Sequence, residues 1–205
     1  MGLQKGAINL TRYQVPDQPS DLGDEFIQER LTRNAFVDIE TGTQEESAGW
    51  VEVLEPLAAN FNPVSFRFGD VLVFGLRIDT RRVPAKTVSR YLTLALAEAE
   101  ERAGKPLSSD QRRQLKSVVH QDLLARTPVS TDVYEVCWFT RRDEVWLVGG
   151  STKVREKFEE LWRRTFKLGL LMKIPYVLAR ELLPGEVAPE ALDQVRASAL
   201  IGGRS

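Results

Sequence analysis

Apolar residues fall along this chain in helical stripes separated by shorter runs of β type. The clearest stripe is Val88, Tyr91, Leu92, Ala95, Leu96 and Ala99, at i, i+3, i+4, i+7, i+8 and i+11. That spacing predicts an amphipathic helix. Pro84 suits its first turn, and Gly104 suits the left-handed residue just past its end. A second helix is expected from Ser108, which forms a capping box with Gln111, and Leu115, Val118 and Val119 supply its apolar side. Pro128 closes it. With only residues 104–107 between them, the two stripes predict a helical hairpin over about residues 84–128.

Strand patterns flank this hairpin on both sides. Residues 7–15 read as a strand, and Phe26, Ile27 and Leu31 mark a helix over 24–34 with acids in its first turn. Residues 38–47 are polar and read as a loop before a strand at 50–54. Phe66 and Phe68 alternate with polar neighbours, and Gly69-Asp70 then turns the chain into the apolar run 71–76, a hairpin signal. Residues 133–140 and 144–148 form a second β-hairpin. Gly149-Gly150-Ser151 leads into a helix with the stripe Val154, Phe158, Leu161 and Trp162. A last strand is expected within 170–183 and a weak helix near 190–199. The class is α+β, antiparallel strand blocks flanking a long helical hairpin, in a single unit spanning 1–205 without internal repeats.

The 205 residues are 42% hydrophobic and 28% charged, an ordinary globular balance. One cysteine, Cys137, leaves nothing dependent on an oxidising compartment, and no apolar run approaches membrane-spanning length. A cytoplasmic protein is expected. Gly6 stands where an N-terminal lipidation signal needs Ser or Thr. The net charge of −1 hides a segregation: residues 1–60 carry four basic and eleven acidic side chains, and the remainder carries 24 basic against 18 acidic.

Candidate chemistry is sparse. Asp38 and Glu40, two apart, resemble the opening of a DnaQ-type exonuclease site, but two-metal hydrolysis needs further carboxylates and a general base. His120 has no second histidine, and Cys137 lies in an apolar strand. No cofactor or metal site is read from these residues. The sequence Gly149-Gly150-Ser151-Thr152-Lys153 opens a helix, where amides and Lys153 suit a backbone phosphate. Cations are more suggestive. Arg112, Arg113 and Lys116 lie on the second hairpin helix with His120, Arg102 and Lys105 near the tip, and Arg126 at the far end. Arg77, Arg81, Arg82, Lys86 and Arg90 gather before and within the first helix, and Lys153, Lys157 and Arg164 share a face of the later one. Together they offer phosphate partners for salt-dependent, sequence-independent DNA binding.

The order of segments resembles the RdgC family over about residues 7–173. The resemblance rests on Arg12-Tyr13, Gly49-Trp50-Val51, Val83-Pro84, the charged stretch 98–102, Leu123-Leu124-Ala125-Arg126, Trp138 and Ser151-Thr152. It implies a non-catalytic protein that binds double-stranded DNA as a ring-shaped homodimer, associates with the nucleoid and restrains RecA-type recombinases. It also implies DNA contact by Arg102 and Arg126. The chain departs from the family in having Thr127-Pro128 where relatives place an aromatic, and in ending roughly a hundred residues before typical members do. As a short form, it is expected to close the ring differently or not at all. A metal-dependent exonuclease using Asp38 and Glu40, and a protein-interaction domain without DNA affinity, are the alternative expectations.

Overall fold

A computed structural model describes residues 9–20 and 22–182. The strand expected at 7–15 appears as β1 (Leu10–Gln14), and the helix at 24–34 as α1 (Asp24–Arg33). The helix expected at 190–199 lies outside the described residues. Strand β2 (Glu46–Val51) begins earlier than expected, so Leu54 stands exposed in a loop. Phe66 belongs to the short helix α2 (Pro63–Phe66), and the predicted hairpin forms between β3 (Arg67–Phe68) and β4 (Val71–Thr80). Helices α3 (Ala85–Ala103) and α4 (Ser109–Arg126) form the helical hairpin, followed by β5 (Ser130–Phe139), β6 (Glu144–Val148) and α5 (Thr152–Phe166).

The expected last strand is a correction. Only β7 (Leu171–Met172) is extended, and α6 (Pro175–Leu182) follows. Pro175 explains the change: a proline cannot donate to a strand ladder, yet its fixed φ suits the first helical position.

The strand blocks on either side of the hairpin join into one sheet, ordered β2-β4-β5-β6-β1-β7, with β3 also on β4 and every pairing antiparallel. Strands β4 and β5 pair along their whole length, from Val71↔Phe139 to Thr80↔Ser130. The sheet's central β-hairpin therefore has the two long helices as its loop.

One face of the sheet carries the core. Tyr13, Trp50, Leu72, Phe74, Trp138, Val145 and Leu147 point alternately to that face, where Phe158, Trp162 and Phe166 of α5 meet them. Edge-on contacts such as Trp138–Trp162 (4.7 Å) and Trp50–Phe74 (5.0 Å) lock the rings. Trp50 donates its indole N–H to Thr165 Oγ1 at 2.8 Å, so the buried donor is satisfied. Gly49 has a steric reason: a Cβ there would lie 2.4 Å from the Phe36 Cα, because the segment after α1 runs directly against β2.

Candidate nucleic-acid interface

The hairpin's shape follows from its residues. Gly104 adopts φ 63°, the left-handed value its position requires. Ser108 Oγ accepts from the Gln111 amide at 3.3 Å while Gln111 Oε1 accepts from the Ser108 amide at 2.9 Å, the expected capping box. Glu100 Oε1 closes the turn by accepting from the Leu107 amide (3.2 Å) and the Arg112 guanidinium (2.9 Å). The two helices pack on each other, and among their residues only Val88 and Leu124, both at the root, are buried. With 19 residues in α3, the arm is about 28 Å long. Two residues expected in its apolar stripes, Tyr91 (47% exposed) and Val118 (61%), instead face solvent. Two helices packed only on each other have one seam to fill, and a wide stripe overflows it.

The expected site residues divide sharply. Arg102 and Lys105 at the tip and Lys116 on α4 are exposed, and among the described residues none has a carboxylate partner. Arg82, Lys86 and Lys153 are likewise exposed and free of described carboxylates. Arg112 pairs with Glu100, Arg113 reaches Asp110 at 3.9 Å, and Arg126 pairs with Asp122 at 2.8 Å, all exposed contacts. Exposed pairs contribute roughly 0–1 kcal/mol, so a phosphate can displace the carboxylate.

Arg81 is a correction. Expected as a phosphate contact, it is only 2% exposed and donates to the carbonyls of Ile39 (2.9 Å), Glu40 (2.9 Å) and Gly42 (2.6 Å). Its neighbour Arg77 is also internal. It forms a two-pronged bond with Asp79 (2.8 and 2.6 Å) and lies 4.0 Å over the Phe36 ring, and the Asp79 bond holds its pKa above the ordinary value. Both sit on or just beyond β4, where Phe36, Asp79 and the 39–42 loop cover them, and a cation cluster read from sequence does not register such cover. Lys157 and Arg164 of α5 engage Glu46 and Asn34 and leave Lys153 alone at the helix start.

Asp38 and Glu40 lie on the exposed loop that Arg81 fastens, with Asp38 Oδ1 accepting from the Glu40 amide at 2.6 Å. Among the described residues, no three His, Cys, Asp or Glu side chains converge in a metal-binding group. His120 Nε2 lies 3.9 Å from Glu45 Oε1. Burial pushes the Cys137 thiol up to about 11, so the thiolate a nucleophile needs is scarce at neutral pH. No described helix is long and apolar enough to cross a membrane.

The feature that sequence reading missed is a groove at the root of the hairpin, between Val88 and Leu92 of α3 and Lys116 and His120 of α4. Its apolar half lies within the very stripe expected to fill the helix seam, which leaves no separate signal.

A family model described as "Putative exonuclease, RdgC" matches residues 8–178. No curated protein matches the chain.

Proposed function

Because the chain belongs to the RdgC family of recombination-associated proteins, we propose that it is a non-catalytic, sequence-independent DNA-binding protein whose helical arm grips the phosphate backbone. The observation that carries this reading is the arm itself. It stands off the end of the sheet and presents Arg102, Lys105 and Lys116 with no described carboxylate to neutralise them. Residues 84–128 hold eight lysines and arginines against five acids, in a chain whose total is −1. Charge gathered in this way attracts a polyanion by counterion release without any base contact. Arg112, Arg113 and Arg126 add cations whose exposed partners are easily exchanged. Lys86 and Arg82 at the arm's root, with Lys153 on α5, give a longer duplex further contacts. Family membership supports double-stranded DNA as the ligand, a homodimer as the acting form, nucleoid association, and restraint of a RecA-type recombinase through the shared DNA.

A non-catalytic role accords with the geometry of the acidic pair. Asp38 and Glu40 lie on a surface loop fastened by the Arg81 guanidinium, with Asp38 accepting from the Glu40 amide, whereas two-metal hydrolysis needs carboxylates converging from several segments.

Fluorescence anisotropy with a mixed-sequence duplex, titrated across salt, tests the reading. Binding is expected to weaken steeply with salt, and replacing Arg102, Lys105 and Lys116 by alanine should lower the log–log slope by about three, roughly one per lost contact. A slope that does not change removes the arm from the interface. Magnesium-dependent shortening of the duplex, abolished by Asp38→Asn, would establish the exonuclease instead.

A further inference from the structure

The groove at the root of the arm is chemically unlike the arm's tip. Val88 and Leu92, one helical turn apart on α3, form an apolar floor, with Ser89 beside them and Lys116 and His120 opposite, around about 350 Å³ of space. Val88 is buried and Leu92 half-buried, while Lys116 is exposed and without a described carboxylate partner. No acidic residue lines the groove.

From this pairing of an apolar floor with a cationic rim we propose that the groove docks a short acidic peptide segment of a protein partner. An aliphatic or aromatic side chain of the peptide lies over Val88 and Leu92, and a neighbouring carboxylate meets Lys116. Charge complementarity selects this occupant. A DNA phosphate satisfies Lys116 but leaves the floor wet, and an apolar segment without acid leaves the lysine without its ion pair. A segment carrying both satisfies both, since removing apolar surface from water is the favourable term and the ion pair sets orientation. The volume is at the small end of ligand pockets, which suits one or two anchoring side chains and not a helix laid along its length. The proposal does not rest on the DNA reading: the two share Lys116, but the apolar floor takes no part in phosphate contact, and Arg102 and Lys105 at the tip do not line the groove.

The test uses the full chain and a fluorescein-labelled synthetic peptide, Asp-Glu-Leu-Phe-Asp-Glu, followed by anisotropy. Ser89→Trp, at an exposed helical position, fills the slot, and Lys116→Gln removes the cation. Saturable binding is expected, weakened at least about tenfold by either substitution and lost when serines replace the peptide's Leu and Phe. Ser89→Trp should leave both duplex affinity and melting temperature unchanged. If that variant melts early, the exposed Lys116→Gln carries the comparison for peptide binding alone, because Lys116 also belongs to the proposed DNA surface. The proposal is overturned by the absence of saturable binding, by equal affinity for the serine peptide, or by full displacement with an equal concentration of octanoate, which would mark a site for small amphiphiles. If the peptide pattern holds while the wild type fails to bind duplex, the groove stands and only the DNA reading falls.

Discussion

Arginines in this chain do two different jobs, and burial separates them. Arg81 donates to three loop carbonyls from a nearly sealed position, while Arg102 stands at the end of an arm in water. Removing Arg81 strands buried acceptors, so Arg81→Ala should lower unfolding free energy by about 2–4 kcal/mol in urea. Lys105→Ala, by contrast, should stay within roughly 0.5 kcal/mol of wild type. Equal effects would show that the loop carbonyls are satisfied without the guanidinium. Glu144 provides a second residue-scale expectation. Burial pushes its carboxyl up, but hydrogen bonds from Arg12 (2.5 Å) and the Trp146 indole (2.8 Å) outweigh it and hold the pKa below the ordinary 4.5. A depressed carboxylate contributes stability above its unfolded pKa and loses it as pH falls through the folded value. The stability gap between wild type and Glu144→Gln should therefore be widest near about pH 6 and close towards about pH 3, as read by denaturant unfolding. A constant gap would mean the carboxyl titrates alike in both states.

Elements in this molecule differ in what holds them. Strands β4 and β5 are sealed by the aromatic core, whereas α3 and α4 depend on one seam, their caps and the Glu100 clasp. Ser108→Ala should cost about 1 kcal/mol of helix stability, and the loss should stay local. Hydrogen exchange would show faster exchange in the first turns of α4 with unchanged protection in β4 and β5; uniform loss of protection would mean the arm and sheet unfold together. These elements were also the most legible in sequence, because period, cap and glycine each point independently to the same boundaries at 104 and 108. Legibility failed where a neighbour decides the outcome. The two-residue β7 exists because Tyr13 and Gln14 pair with it, and α6 starts at a proline that a β-biased reading of Leu170 to Ile174 passes over. Of the candidate site, the tip cations were readable, being far from everything else. The burial of Arg77 and Arg81 was not, since it depends on Asp79, Phe36 and a loop some forty residues earlier.

At the scale of the whole molecule, the arm is an insertion at the end of a β-hairpin that would be complete without it. Pairing of β4 with β5 runs to Thr80↔Ser130, and the core contains no residue from the arm's outer length. The sheet should thus survive if residues 84–126 are replaced by Gly-Gly, leaving Arg81 to hold its loop and Thr127 to lead back into β5. The aromatic cluster around Trp138 and Trp162 should keep its near-ultraviolet dichroism, because none of its partners is removed. Duplex binding should then fall to what Lys153 and the remaining body cations supply, a loss larger than any single substitution because eight basic side chains leave together. Salt dependence makes the outcome specific. If the arm is the interface, the armless chain binds weakly with a shallow slope; if it retains wild-type affinity and slope, the polyanion is held by the sheet body, and of the arm's free cations only Lys116, at the root groove, keeps a proposed partner.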